Sequence, residues 1–383
     1  MKIPRNLLLL YISSFFLGFA FGFFRWVMPL LLMESEGAVI LGVVFSISSV
    51  VTAFIAFSGG ILSDRYGRRL IIVCGTILFA LGSTLLLASQ TIPLLLIFGV
   101  IFILMSPSFY RAAVDALITE SADDAVLGRA FSVMPVLTLV GMSSGSVVLG
   151  YITESCGLLY AMITSFFCAW VAVFFRMLIS EPVKKTRTDH SELSLSQLKT
   201  VIRSRYLILF AFIVIGTGLI SWFGIYLPSF MSEVMSMGEK TIGILFSVFS
   251  ISQAVMQPVA GWFIDKFNER WALAVNLGGS GIFVLLFVFF SQINLVAAIL
   301  SIVISSSLSA FYNVGYSVYI ARATTEKIRG TVFGGMETLG FLSSVPAPLI
   351  GAFLWGKSPY LTFAIVGIGN IALLSFLVKK VEK

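Results

Sequence analysis

The stretch "GILSDRYGRR", residues 60–69, closes one long apolar run and opens another, with only a short basic turn between them. Gly60 permits close approach of a neighbouring helix, and Gly67 lets the chain reverse within a residue or two. Arg65, Arg68 and Arg69 hold the turn in water or among lipid headgroups. Asp64 is placed to accept hydrogen bonds from the first amides of the helix that follows, or to meet an arginine from another helix. Together these features describe a tight connection between two membrane-crossing helices.

The rest of the chain repeats that theme. Of its 383 residues 58% are apolar and 11% charged, and the mean hydropathy is +1.03. Ordinary soluble domains carry about 25% charged residues, so the soluble classes are excluded. Apolar runs fall near 7–32, 38–61, 70–89, 92–116, 131–151, 156–179, 206–231, 241–264, 271–290, 294–320, 331–354 and 359–378. Each is close to the ~20 residues that a helix needs to cross a bilayer. None shows the ten-residue alternation of a membrane β-barrel. Lys2 and Arg5 precede the first run, which is too long for a secretory signal and reads as a retained helix. An all-α integral membrane protein with twelve transmembrane helices is therefore expected.

The longest hydrophilic stretch separates six runs from six. It predicts a bundle over 1–180, a linker over 181–205 and a bundle over 206–383. Within the linker, "SLSQLKTVIRSR" suits a helix lying on anionic lipid. Almost all of the 25 Lys and Arg residues fall on the face that carries the two termini. Only Lys240 and Lys357 lie opposite, and Arg25 sits inside the first run. By the positive-inside rule both termini are expected in the cytoplasm, with the chain in the cytoplasmic membrane. No basic folded domain or aromatic platform suggests a nucleic-acid partner. Cys74, Cys156 and Cys168 lack metal-ligand spacing, and the single histidine, His190, lies in the linker.

The two halves also repeat each other at an offset of about 200 residues. "GVVFSI" at 42–47 is echoed by "GILFSV" at 243–248. Gly60, Asp64, Arg65 and Arg69 correspond to Gly261, Asp265, Lys266 and Arg270, while Asn268 replaces the turn glycine. "FYRAAVDALITE" at 109–120 corresponds to "FYNVGYSVYIAR" at 311–322, and Pro29 to Pro228. Duplicated bundles provide two similar walls around a path, and one wall can rock against the other.

The 60–69 block resembles the signature between helices 2 and 3 of the major facilitator superfamily, matched at its characteristic positions. The resemblance extends over essentially the whole chain. It implies two pseudo-symmetric six-helix bundles and solute transport by alternating access. It also implies that Asp64 and the arginines join a charge network that closes the inner side. Arg111, Asp115 and Glu120 are candidate partners: Asp115 for Arg65 or Arg68, and Arg111 for Asp64. Arg111 and Asp115 are four apart and share a helix face. The second-half positions are Asn313 and Ser317, so that network is asymmetric. "GMSSGSVVLG" at 141–150 keeps the glycines of the antiporter pattern of helix 5 but lacks its proline, which makes a drug or metabolite antiporter only a weak resemblance.

Two ionisable residues lie deep within apolar runs, where charge is expensive and needs a partner, a cavity or a path. Arg25 has several readings: snorkelling, pairing, or recognition of an anionic solute. Trp26 beside it either lines the same region or anchors the outer interface. Glu337 is either a proton-coupling carboxylate or a packing group. Gln253, Gln257, Asn276, Tyr312 and Asn313 are polar cavity candidates, and Trp222 and Tyr226 are aromatic ones. A lining poor in charge favours an amphipathic organic solute. Proton-coupled efflux is one expectation and an anionic metabolite held by Arg25 the alternative. A non-transporting receptor or scaffold is a third reading. No phosphate-binding loop, metal cluster or catalytic triad is visible, so neither an enzyme nor a cofactor is expected, and the partners are a small solute and lipid. Each chain holds both halves, which is consistent with a working monomer.

Overall fold

Within hydrocarbon every amide must be bonded inside its own segment, and long apolar runs without strand alternation satisfy this as helices. The computed structural model describes residues 4–121, 127–181, 205–323 and 326–379. Among these, all regular structure is helical: α1 (Arg5–Tyr66), α2 (Arg68–Ala88), α3 (Leu95–Ser121), α4 (Leu127–Cys156), α5 (Leu158–Met177), α6 (Arg205–Leu219) and α7 (Phe223–Ser229). A π turn over Phe230–Val234 follows, then α8 (Glu239–Lys266), α9 (Glu269–Phe290), α10 (Leu295–Ala323), α11 (Glu326–Ser344), α12 (Ala347–Lys357) and α13 (Pro359–Lys379). Among the described residues eleven segments are long and apolar enough to cross a membrane. The linker expected over 181–205, with its surface helix and His190, lies outside the described residues apart from its two ends.

The first segment is not one straight rod. At 1.5 Å per residue its 62 residues would extend about 93 Å. Yet its two ends lie beside adjacent residues, Ser180 and Glu181. Asn6 donates through Nδ2 to the Ser180 carbonyl (2.9 Å), and the Ser180 amide donates back to Asn6 Oδ1 (3.1 Å). At the far end, the amides of Arg68 and Arg69 donate to the Glu181 carboxylate. The chain therefore folds back within α1. The fold-back is at Gly37, whose φ of 81° and ψ of 174° are non-helical and suit a residue without Cβ. Residues 5–36 and 38–66 form the two arms.

The chain divides into two compact units: Met1–Thr188 with Ser236–Ser250, and Asp189–Met235 with Ile251–Lys383. In the first unit, α1 packs on α3, α4 and α5, and α2 packs on α3 and α5. Contact between the first arm of α1 and α4 is backbone to backbone. A Cβ on Gly18 or Gly22 would run into the main chain of Thr138 or Met142, and one on Gly141 or Gly145 into that of Phe15 or Phe19. The glycines of the 141–150 pattern are thus occupied by helix packing. Gly150 faces Gly243 at the start of α8, where the Ser143 and Ser247 hydroxyls meet at 2.6 Å.

In the second unit, α9 packs on α10 and α13, and α11 packs on α6. Two of the expected spans are interrupted here. The run over 206–231 breaks between α6 and α7, and that over 331–354 breaks between α11 and α12, just before Pro346. The pieces next to the breaks touch, because a Cβ on Gly218 would strike Ser343 Oγ.

Pseudo-symmetry is visible in the connections. Gly67 alone separates α1 from α2, and Phe267 with Asn268 separates α8 from α9. Gly157 alone separates α4 from α5, as Ser358 alone separates α12 from α13.

Candidate functional site

The turn at 60–69 is built around positive φ. Gly67 has φ 99° and ψ 156°, a conformation that disfavours any side chain. It ends α1 abruptly and aims the first amides of α2 at an acceptor. That acceptor is Glu181, which sequence reasoning missed. Its Oε1 accepts from the Arg68 amide at 2.7 Å and its Oε2 from the Arg69 amide at 2.9 Å. The helix dipole adds to the attraction for a carboxylate at this end. A residue more than a hundred positions away thus accepts from the first amides of α2. The Asp64 side chain lies outside the described residues.

The arginines of the turn have separate tasks. Arg68 is buried, with Nη1 donating to Ser63 Oγ (2.9 Å) and Nε 3.4 Å from Glu120 Oε1. Among the expected acidic partners, Glu120 is therefore brought to Arg68. Arg69 donates through Nη2 to the Met177 carbonyl at 2.9 Å. Arg65 is exposed, with its guanidinium over the neighbouring Tyr66 ring. Arg111 and Asp115 are exposed on α3.

The second-half turn reaches the same end by other means. Asn268 keeps a positive φ, 139°, in place of the glycine, and caps α9 itself. Its Oδ1 accepts from the amides of Arg270 (3.0 Å) and Trp271 (3.1 Å). Lys266 lies over the Trp262 and Phe267 rings, and Asp265 is exposed.

Arg25 and Arg176 are two further arginines of the first unit that lie within helices. Arg176, which the charge pattern assigned to a loop face, is only 1% exposed in the last turn of α5. It donates to Ser13 Oγ (3.2 Å) on α1 and to Thr76 Oγ1 (2.7 Å) on α2, and lies 4.3 Å from the Tyr110 ring centroid on α3. One cation thus joins four helices. Arg25 is half-buried, with its guanidinium carbon 5.7 Å from the centroid of the Phe246 ring. Trp26 is fully buried, set edge-on to Phe23 at 5.3 Å, and its Nε1 has no acceptor among the described residues. Its ring is taken up in helix packing.

Most of the second-half candidates are likewise engaged in packing. Trp222 Nε1 donates to the Thr362 carbonyl (3.0 Å) and Tyr226 Oη to the Pro348 carbonyl (2.9 Å), both rings being buried. Gln253 donates to Ser306 Oγ at 3.0 Å. Asn276 bonds the Leu308 carbonyl at 3.1 Å, and the Tyr312 hydroxyl lies 3.3 Å from Thr217 Oγ1. Polar groups in apolar surroundings commonly serve as such interhelical ties. Gln257 and Glu337 are half-buried and Asn313 is exposed.

The sequence model of the Major Facilitator Superfamily matches residues 10–241 and 220–383, nearly the whole chain. The chain belongs to this family. Among curated relatives it is 23% identical to the magnetosome protein MamH of Paramagnetospirillum magneticum, over 91% of this chain and 85% of that one. It is 22% identical to the cis,cis-muconate transport protein of Acinetobacter baylyi, over 81% and 77%. Among solved structures, a mutant of the nucleoside transporter NupG superposes with a TM-score of 0.79 at 13% identity, covering 98% of this chain and 99% of that one. A D-xylose-proton symporter gives 0.78 at 15%, covering 98% and 97%. This facilitator is a multi-pass membrane transport protein. Its turn signature was legible as a local motif. Glu181, Arg176 and Phe246 were not, because their partners come from distant helices; the one local hint was an acidic residue directly following an apolar run.

Proposed function

We propose that this facilitator is a secondary transporter that carries a small, amphipathic organic solute across the cytoplasmic membrane by alternating access. The observation that carries the reading is the repeated turn architecture in the two halves of a facilitator chain. Gly67 and Asn268 hold matching positive-φ turns, and Gly157 and Ser358 matching one-residue joints. Counting the arms of α1 separately makes the proposed architecture twelve crossings in two six-helix bundles. The network of Arg68, Glu120 and Glu181 at the end carrying the N-terminus is then an inner gate, and a single chain suffices for a pathway.

Proton coupling is part of the proposal. Glu337 is half-buried on α11 and is the carboxylate assigned to that task. One solved facilitator of the same fold is a D-xylose-proton symporter, and other relatives are named for muconate and nitrate. Purified protein in proteoliposomes, given an imposed pH gradient and a panel of labelled organic solutes, tests the reading. Accumulation that collapses with the gradient is expected for at least one solute and lost in Glu337→Gln. No movement of any solute by folded protein would favour the receptor or scaffold reading. Unchanged pH-driven accumulation in Glu337→Gln would remove that residue from coupling.

A further inference from the structure

The two deep arginines of the first unit are treated differently by their surroundings. Arg176 is bonded to two hydroxyls and covered by a tyrosine ring. An interior guanidinium with a purely structural task is expected to be tied down in this way, since an unpaired buried charge is costly. Arg25 has none of these ties. Among the described residues its guanidinium meets neither a carboxylate nor a hydroxyl nor a carbonyl, and the ion pairs found are Arg68 with Glu120 and Arg322 with Glu269. Its one neighbour of note is Phe246, at a ring-centroid distance of 5.7 Å.

That contact has a directional consequence. A ring within about 6 Å of a guanidinium stabilises it through the face. The planar fork of N–H donors is left unspent, and it matches a carboxylate in bidentate geometry. Phe246 is 2% exposed and packs on Phe249 at 5.4 Å, so the ring is held in place. Arg25 itself retains accessible surface while Phe24 and Trp26 on either side are 1% and 0% exposed. It precedes the Gly37 fold-back by a rise of about 18 Å, beyond the reach of a side chain snorkelling to that end.

We infer that Arg25, backed by Phe246, is the anion contact of the solute site, and that the solute is a small organic carboxylate with an apolar body. This rests on the transport reading and narrows it to a substrate class. The carboxylate takes the fork of donors, and the apolar body suits the phenylalanine-rich surroundings of the first arm.

The test uses purified full-length protein and matched pairs: benzoate with benzamide, and cis,cis-muconate with its diamide. Carboxylates are expected to raise the melting temperature and the amides to leave it unchanged. The affinity should fall about ten- to a hundredfold in Arg25→Gln, the loss expected for charged hydrogen bonds. Arg25→Lys keeps the charge without the fork, should fall between the two, and serves if the glutamine variant does not fold. Equal effects of acids and amides, carboxylate binding that survives Arg25→Gln, or no carboxylate effect at all would each overturn the inference. Titration with phosphatidylglycerol in detergent separates the other source of an anion. Arg25-dependent stabilisation by that lipid without any by carboxylates would assign the residue to a headgroup and overturn the solute site. Counterflow with the same compounds keeps the two readings apart: exchange of amides alone rejects the anion class and leaves transport standing, whereas exchange of none, with a panel of neutral solutes also inert, rejects transport.

Discussion

The two N-terminal caps of the repeat make a double substitution informative. At Gly67 the cap is supplied from a distance by Glu181, and at the equivalent turn Asn268 supplies its own. Glu181→Ala removes two charge-assisted bonds from the first turn of α2. Cap loss typically costs about 0.5–2 kcal/mol and the lost dipole interaction about 0.3–1 kcal/mol, giving about 1–3 kcal/mol together. At roughly 2–4 °C per kcal/mol for a unit of this size, the melting temperature should drop by about 2–12 °C. Gly67→Asn alone should also destabilise, because a Cβ there would lie 2.9 Å from Glu181 Oε1 and 3.1 Å from its Cδ. The carboxylate would have to swing aside and release the amides. Combined, the substitutions should compensate. With Glu181 shortened there is room for the new side chain, which can cap α2 as Asn268 caps α9. Thermal unfolding in detergent, followed by tryptophan fluorescence, should place the double variant within about 1 kcal/mol of the parent, a coupling on the order of 1–3 kcal/mol. Additive losses would refute the transferable cap.

Thr76→Val leaves the Arg176 cation without its shortest bond, 2.7 Å. It should cost about 1.5–3 kcal/mol in the parent and much less in Arg176→Met, which a double-mutant cycle of melting temperatures checks. Gly22→Val places a Cβ in the main chain of Met142. Separation of the first arm of α1 from α4 should follow, read as loss of a monodisperse peak in size-exclusion chromatography, whereas Gly224→Ala, with open space around its Cβ, should retain one.

Much of the fold was readable because bilayer physics acts locally. A run of apolar residues such as 70–89 or 271–290 must be a helix whatever it packs against. The repeat survived in turn residues, so Asn268 was recognisable as a replaced glycine, though its capping side chain was not foreseen. The breaks after Leu219 and before Pro346 were absorbed into single spans because apolar composition continues through them. Candidate site residues fared less well. Trp26, Trp222, Tyr226 and Asn276 have the side chains of a ligand site, but burial and backbone partners give them packing roles.

The sequence alone determined membrane residence, helical spans, the duplication and the tight basic turn, since each depends on composition or on residues adjacent in the chain. Only tertiary structure decided which carboxylate meets the turn and which arginine is tied down. Glu181 caps α2 from a distant part of the chain. Arg25 and Arg176 are alike in sequence, each a cation within or bordering an apolar run. Their difference lies in Ser13, Thr76 and Tyr110 around one and Phe246 over the other. Those neighbours are brought in by helices far apart along the chain, and a guanidinium's role is set by the partners within a few ångströms of it.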